Sequence, residues 1–222
     1  MSSISVSLVL IMTVLFSPFV SHAQEIDLLL KGGHVIDAKN KINGKMDVAV
    51  KDGKIFRVAA DIPASSAKKT VNVSGLYVTP GLLDIHGHVF HGTDNNYLSN
   101  SLDALPPDGF TFRAGVTTVV DAGGAGWKNI DLFRKNIVEH SKTRVLAFMN
   151  IVGGGMRGTE AYEQDETDMD AKLTSAMALK NKDIVVGIKL AHYIGHDWEP
   201  TDKAVEAGKI ASIPVMVDFG KA

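Results

Sequence analysis

The sequence predicts an α/β fold in which a small β-rich domain precedes a parallel sheet covered by helices. Residues 26–73 contain short apolar stretches separated by turn residues, and after Gly75 continuous apolar runs alternate with longer amphipathic stretches. Continuous apolar strands that alternate with helices are typical of parallel sheets buried on both faces. The chain has 222 residues, of which 45% are hydrophobic, and this is enough for a sizeable core.

The β-rich part, which we assign to residues 24–74, contains five predicted strands at 26–31, 34–37, 46–50, 55–60 and 69–73. Gly32 and Gly33 separate the first two strands, which predicts a two-residue hairpin turn. Asp52 and Gly53 lie in the middle of the turn between the third and fourth strands. This Asp-Gly pair predicts a second hairpin.

The second part, residues 75–222, repeats a strand followed by a helix. The predicted strands are 82–88, 117–121, 145–151, 184–190 and 214–219, and the predicted helices between them are 98–114, 128–140, 168–179 and 201–211. Five such units fit either an open doubly wound sheet or part of a (β/α)8 barrel. No G-x-G-x-x-G motif follows the first of these strands, so the usual mark of a dinucleotide-binding fold is missing.

Composition excludes several functional classes. The chain contains no cysteine, so it has no disulfide framework, no thiolate metal site and no cysteine nucleophile. It carries 25 acidic and 23 basic side chains, and this net charge of -2 offers no basic face to a nucleic acid. We therefore expect no nucleic-acid partner.

The N-terminus predicts a signal peptide over residues 1–23. Residues 7–20 form an apolar run that is shorter than the roughly 20 residues needed to span a bilayer, and Ala23 ends a small-residue cleavage pattern. We expect a secreted or periplasmic protein that begins at Gln24 and has no membrane span after cleavage. Because no Lys or Arg precedes the apolar run, an uncleaved anchor is the alternative.

The strongest chemical signal is a pair of histidines in the segment Thr79-Pro-Gly-Leu-Leu-Asp-Ile-His-Gly-His88. Side chains two residues apart on a strand project to the same face, so His86 and His88 are expected to point together at the C-terminal end of this strand. Barrel enzymes place their active sites at that end, and two neutral imidazoles make half of a metal site. The pair is a weak motif by itself, but its place at the end of an apolar strand makes it more specific.

Lys189 is the second signal, because it lies near the end of the apolar strand 184–190. Burial of an isolated ammonium is costly or lowers its pKa, and a neutral amine can react with carbon dioxide to give a carbamate, an anion that can bridge two metal ions. The alternative is a lysine whose stem packs against the strand while its charged end reaches water. Lys189 taken alone favours that alternative.

Together these segments resemble the amidohydrolase superfamily. The resemblance runs from residue 26 to the end and rests on the β-rich strands, on Pro80-Gly-Leu-Leu-Asp-Ile-His-Gly-His88, on Gly115-Val-Thr-Thr-Val-Val-Asp-Ala-Gly123 and on Val186-Gly-Ile-Lys189. It is nearest to the deacetylase-like branch, close to D-aminoacylases and dihydroorotases. The resemblance implies part of an N-terminal β-sandwich followed by a (β/α)8 TIM-type barrel, of which residues 75–222 hold the first five strands.

A complete barrel of this type takes about 250 residues. We therefore expect this chain to be a fragment that stops after the fifth strand of the barrel and is inactive by itself. The family's histidine ligand on strand six and its aspartate on strand eight would lie beyond it.

The resemblance also implies two divalent metal ions, with zinc as the expected metal. By position, His86 and His88 bind one ion and a carboxylated Lys189 bridges it to the second, so Lys189 is the expected catalytic residue as well as a ligand. The family usually has a histidine on strand five, where this sequence has Asp218. A carboxylate is a competent zinc ligand, and Asp218 is either such a ligand or a structural residue.

The function that the resemblance implies is hydrolysis of a non-peptide amide or an ester in a small-molecule substrate, such as removal of an N-acyl or O-acyl group by a metal-bound hydroxide. A non-catalytic metal-binding or scaffold barrel of the cell envelope is one alternative, and a dihydroorotase-like cyclic amidohydrolase is another. Phe90 argues against the latter, because dihydroorotases carry there an arginine that grips a substrate carboxylate. His91, Asn150, His192 and His196 lie near predicted strand ends, where a loop or surface role is favoured over a place in the pocket.

Overall fold

The computed structural model describes residues 26–92, 104–156 and 160–218. The chain divides into two compact units, the first ending at Pro80 and the second beginning at Gly81. The predicted leader, residues 1–23, lies outside the described residues, as does part of the predicted helix 98–114. None of the helices in the described ranges is both long and apolar enough to cross a membrane.

The first unit contains a five-stranded mixed sheet. Its strands are β1 (Ile26–Asp37), β2 (Ile42–Lys51), β3 (Lys54–Ala59), β4 (Ala67–Asn72) and β5 (Tyr77–Val78). Their order is β3-β2-β1-β4, with β5 also beside β1. The strands β4 and β5 run parallel to β1, whereas β2 runs antiparallel to both of its neighbours. Residues 26–80 thus show one sheet, and the second layer of the β-sandwich stays a prediction.

The predicted hairpin at Gly32 and Gly33 is wrong. Strand β1 continues through both glycines, and its pairing with β2 changes register between Leu30 and Gly33. This irregularity is a β-bulge, and Gly32 suits it because its φ of 77° is in the left-handed region. A Cβ at Gly33 would lie 2.6 Å from Cγ2 of Val78, so this glycine allows the close approach of β5.

The second predicted hairpin is confirmed. Strands β2 and β3 pair as far as Lys51 and Lys54. The two residues between them, Asp52 and Gly53, have φ values of 50° and 69°. Two positive φ values mark a type I′ turn, whose twist matches that of the flanking strands. This turn therefore sets the register of the β2–β3 hairpin.

The second unit is a parallel sheet whose strands alternate with helices. Its strands are β6 (Leu82–Gly87), β7 (Val116–Gly126), β8 (Arg144–Asn150), β9 (Val185–Ala191) and β10 (Val215–Asp218), and its α-helices are α1 (Ile130–Asn136), α2 (Ala171–Lys180) and α3 (Glu199–Ala211). All neighbouring strands are parallel, and they follow one another across the sheet in chain order. A doubly wound sheet reverses its order at a switch point, whereas a barrel adds each strand beside the last. The unit is therefore an α/β sheet consistent with part of a (β/α)8 barrel.

The predicted helices differ in how well they match the helices of the structure. The helices predicted at 168–179 and 201–211 are confirmed as α2 and α3, whereas the one predicted at 128–140 ends as α1 at Asn136 and continues as a short 3-10 turn. The helix predicted at 98–114 is wrong in its described part, which has two 3-10 turns instead. Pro106 and Pro107 explain this result, because proline has no N–H to donate within a helix.

The core of the second unit determines which way Lys189 points. Ile188 and Leu190 are at most 1% exposed and belong to the apolar core of this unit. Because side chains alternate across a strand, Lys189 projects to the opposite face of the sheet from these two neighbours.

Asp47 is a buried carboxylate of the first unit, with 2% of its surface exposed. It accepts hydrogen bonds from Nζ of Lys31 at 2.7 Å, from the N–H of Gly32 at 2.7 Å and from the N–H of Ile62 at 2.8 Å. Burial alone would raise the pKa of Asp47, but these donors outweigh burial and hold the pKa below its usual value. The carboxylate therefore stabilises the fold above its unfolded pKa of about 3.9, and this contribution is lost as the pH falls towards the lower folded pKa.

We expect Asp47→Ala to lower the free energy of unfolding by about 3 kcal/mol at neutral pH, because a lysine and two N–H groups lose their acceptor. Asp61→Ala is the matched control, since Asp61 contacts the same Lys31 but its side chain is 83% exposed. An exposed pair of this kind contributes about 1 kcal/mol or less. Urea unfolding at neutral pH and at about pH 3 measures both variants, and the effect of Asp47→Ala should shrink at the lower pH. Equal midpoints for Asp47→Ala and the wild type would contradict this account.

Candidate functional site

The residues that the sequence analysis singled out lie at the C-terminal ends of three strands. His86 is in β6 and His88 directly follows it, Lys189 is in β9, and Asp218 is the last residue of β10. The β9–β10 register places Asp218 opposite Ala191, two residues beyond Lys189. Because parallel strands end at the same edge of a sheet, all four side chains lie at one edge of the second unit.

His86 and His88 form a pair of neighbouring rings. Their centroids are 5.6 Å apart and the rings are nearly perpendicular. His86 is exposed and His88 is half-buried. The Nδ1 atom of His88 is buried and has no hydrogen-bond partner among the described residues. A buried imidazole nitrogen without a partner is costly, so this atom fits a site that receives a ligand such as a metal ion.

Lys189 and Asp218 are in direct contact. The Lys189 side chain is 1% exposed, and its Nζ donates to Oδ2 of Asp218 at 3.2 Å and to the sulfur of Met216 at 3.6 Å. The alternative in which the charged end of Lys189 reaches water is therefore wrong. The carboxylate of Asp218 compensates the charge of the buried amine.

His192 also faces Asp218, although the sequence favoured a loop role for it. Its Nδ1 lies 2.7 Å from Oε2 of Glu163, a carboxylate that is 3% exposed, and its Nε2 lies 3.8 Å from Oδ2 of Asp218. His192 has a φ of 51°, in the left-handed region that favours glycine. Two hydrogen bonds hold this backbone: its N–H donates to the carbonyl of Asp218 at 2.9 Å, and Nε2 of Gln164 donates to its carbonyl at 2.8 Å.

Asp121, in β7, supports the segment that follows His88. Its carboxylate is fully buried. It accepts hydrogen bonds from the N–H groups of Val89 at 2.8 Å, Phe90 at 3.1 Å and Gly124 at 2.6 Å. Because Val89 and Phe90 directly follow His88, this carboxylate fixes the backbone next to that ring.

Gly123 leaves space for the stem of Lys189. Its φ is 98°, and a Cβ there would lie 2.8 Å from Cγ of Lys189 and 3.2 Å from Nδ2 of Asn150. Asn150 is buried at the end of β8, and its Nδ2 donates to the carbonyl of Gly123 at 3.2 Å, so the surface or loop role favoured for it is wrong. A side chain at position 123 would therefore displace Lys189 or Asn150.

The surroundings shift the pKa values of His88 and Asp218. Burial lowers the pKa of His88, and the neighbouring histidines and Lys189 lower it further, while the charge of Asp121 opposes them. Partial burial would raise the pKa of Asp218, but the hydrogen bond and charge of Lys189 outweigh burial and hold that pKa below its usual value. At neutral pH the site thus holds a neutral imidazole and a carboxylate, the forms that bind divalent ions.

Phe90, His91 and His196 have different surroundings. Phe90 is 1% exposed, and its ring packs edge to face on Phe133 with centroids 5.1 Å apart. It offers nothing that could grip a substrate carboxylate. His91 is half-buried, and His196 is exposed and lines a cavity beside Asp218.

A cavity of about 140 Å³ lies beside Asp218. Leu190 and Val217 contribute apolar lining, and Tyr193 and Trp198 contribute aromatic rings. Because Leu190 and Val217 project to the face of the sheet opposite Lys189, the cavity borders that face.

A separate acidic cluster consists of Glu166, Asp197 and Glu199, whose carboxylate oxygens lie within 4.8 Å of one another. The hydroxyl of Tyr193 lies 2.5 Å from Glu166 and 2.7 Å from Asp197, and these hydrogen bonds raise the pKa of Tyr193. Lys203 lies 3.0 Å from Glu199. The cluster could hold a cation, but a lysine and a hydroxyl already bind its oxygens.

The roles of Asp121 and Glu163 were not predicted from the sequence. Asp121 had a signal that could have revealed it: it directly follows Val119 and Val120 on a predicted buried strand, where a carboxylate needs partners. Glu163 lies in a segment without helical or strand periodicity, and its contact with His192 joins residues 29 positions apart. Nothing local in the sequence marks that contact.

No protein-family model matches the chain. A deacetylase of Agrobacterium fabrum is 31% identical over 177 residues, which cover 77% of this chain and 42% of that protein. A deacetylase of Enterococcus faecalis is 33% identical over 202 residues, which cover 88% of this chain and 51% of that protein. Among solved structures, an adenine deaminase matches with a TM-score of 0.74 and 32% identity, over 89% of this chain and 51% of that chain. The chain spans about half the length of these relatives.

Proposed function

Because this chain belongs to the amidohydrolase superfamily, we propose that the whole protein is a metal-dependent hydrolase of an amide or ester bond in a small molecule. The observation that carries the proposal is the meeting of His86, His88, Lys189 and Asp218 at one edge of a barrel-type sheet. That edge is where barrel enzymes place their catalytic residues.

We propose that the site holds two divalent ions, with zinc as the expected metal. His86 and His88 would hold one ion, and Lys189, as a carbamate, would lie between the two, with Asp218 on the second. Imidazole nitrogens and carboxylate oxygens are ligands that suit zinc. A carbamate would turn Lys189 from a cation into an anion beside Asp218, and the two anions would then require cations near them. When bound, divalent ions lower the pKa of a water molecule and polarise a substrate carbonyl.

The protein's own residues prepare the site for this role. The hydrogen bonds of Asp121 hold the backbone beside His88, and Gly123 gives the stem of Lys189 its path. Burial keeps His88 neutral and therefore able to donate a nitrogen lone pair. These residues position and tune the ligands without needing to contact a substrate.

Removal of an acyl group from a small N-acyl or O-acyl compound is the reaction that we propose. The two deacetylases named above point to the same reaction. The buried Phe90 argues against a dihydroorotase-like substrate with a carboxylate gripped at that position.

We also propose that the protein is exported. The apolar run 7–20 and the small-residue pattern that ends at Ala23 support a cleaved signal peptide. The substrate would then be met in the periplasm or outside the cell.

Metal content and hydrolysis, measured on the same purified protein, test the proposed function. We expect two divalent ions by elemental analysis, hydrolysis of at least one compound in a panel of N-acetyl and O-acetyl small molecules, and loss of activity with a chelator. His86→Ala should lower both metal content and rate, because losing a ligand weakens metal binding. His140→Ala, which removes an exposed histidine of the same unit, should change neither. A wild-type protein without bound divalent metal would refute the proposal, and two ions without hydrolysis would favour a metal-binding scaffold.

A further inference from the structure

Glu163, His192 and Asp218 lie in a row beyond the end of β9. Oε2 of Glu163 is 2.7 Å from Nδ1 of His192, and Nε2 of His192 is 3.8 Å from Oδ2 of Asp218. Glu163 comes from the segment after β8, and Asp218 ends β10. Three separate parts of the chain therefore meet at one imidazole.

The contact with Glu163 determines which nitrogen of His192 carries the proton. An ionised carboxylate only accepts hydrogen bonds, so Nδ1 of His192 is the donor to Glu163. In the neutral ring, Nε2 then carries a lone pair. That lone pair faces the site and the carboxylate of Asp218.

The distance between Nε2 of His192 and Oδ2 of Asp218 favours a cation over a hydrogen bond. A direct N–H···O bond measures about 2.7–3.2 Å, and 3.8 Å exceeds that range. Two ligand atoms on one zinc ion lie no more than about 4.2 Å apart, because each bond is about 2.1 Å. The observed separation therefore suits two atoms that share an ion.

Hydrogen bonds hold the backbone of His192 in the conformation that places its ring beside Asp218. Its φ of 51° is a conformation that non-glycine residues rarely adopt, and it persists only where the surroundings hold it. The hydrogen bonds from Gln164 and to the carbonyl of Asp218 do so here. The same hydrogen bond to Asp218 joins the backbone of His192 to the end of β10.

We infer that His192 supplies a nitrogen ligand to the second divalent ion, beside Asp218, and that Glu163 is the residue that positions its ring. A carboxylate on the far nitrogen of a ligating histidine is a common arrangement, because it fixes the tautomer and orients the ring. The inference rests on the proposed metal centre. It adds to that centre a ligand from the loop after β9.

Zinc binding to variants of position 192 in the whole protein tests the inference. His192→Gly and His192→Asn both accept a left-handed backbone, so they remove the imidazole while keeping the loop conformation. We expect both to bind the first ion normally and the second ion about 100-fold more weakly or worse, measured by elemental analysis and by titration of Zn²⁺ against a competing chelator. Glu163→Gln should weaken the second ion by about 10-fold, as expected for a residue that orients a ligand. His140→Asn is the matched control, because it changes an exposed histidine of the same unit and should leave both affinities unchanged.

Added imidazole separates a lost ligand from a disturbed loop. It should restore the second ion to His192→Gly, because free imidazole can occupy the vacated position. Loss of the ion without such rescue would count against a ligand role. If both variants of His192 bind two ions as tightly as the wild type, the inference fails while the hydrolase proposal stands. If the wild type binds no divalent ion, both fail together.

Discussion

Replacing Lys189 by alanine is expected to reduce hydrolysis by the whole protein by about 100-fold or more. The reason is that Lys189 is the proposed bridge between two ions, and loss of even an outer partner of a ligand typically costs 10–100-fold. The variant should also lose at least one divalent ion. Elemental analysis and initial rates on the same preparation measure both effects.

Three further variants or additions make the Lys189 test specific. A short carboxylic acid added to Lys189→Ala should restore part of the activity, since it can stand in for the carbamate. Lys189→Met keeps most of the buried volume without an amine, so it should be equally inactive but more stable than the alanine variant. Lys182→Ala, which removes an exposed lysine near the start of β9, is the control and should match the wild type. Full metal content together with full activity in Lys189→Ala would end the assignment of this residue.

Asp121→Ala is expected to lower the free energy of unfolding by about 4 kcal/mol. The carboxylate is fully buried and accepts three backbone N–H groups, and each buried donor left without an acceptor costs about 1–3 kcal/mol. Asp121→Asn keeps one acceptor oxygen, so it should cost less. Because two of the three N–H groups belong to the residues after His88, both variants should also bind the first ion more weakly.

Asp108 provides the matched control for Asp121. It also accepts three hydrogen bonds, from the N–H groups of Lys142 and Thr143 and from the hydroxyl of Thr143. Asp108 is exposed, so water can replace its carboxylate, and Asp108→Ala should cost only about 1 kcal/mol. Urea unfolding of the metal-free proteins gives both values. If Asp108→Ala and Asp121→Ala lose similar free energies of unfolding, burial is not the reason that Asp121 stabilises the fold.

The sequence by itself determined the parts of this protein that depend on neighbouring residues. The Asp52-Gly53 turn follows from the backbone freedom of those two residues. The parallel strands of the second unit follow from continuous apolar runs, which predict burial. Strands β7, β8 and β9 are mostly buried, whereas Leu82, Leu83 and Ile85 of β6 are exposed, contrary to that pattern. The pair His86 and His88 follows from the two-residue period of a strand.

Contacts between distant residues were decided only by the tertiary structure. The apolar pattern fits a barrel and a doubly wound sheet equally well, and only the observed strand order separates them. Gly32 takes part in a bulge because its neighbours are β2 and Asp47, which a local pattern cannot show. Lys189 is buried because Asp218, 29 residues later, compensates its charge. Periodicity shows that a side chain must be buried, but the partner that satisfies its charge or hydrogen bonds is set by how the strands come together.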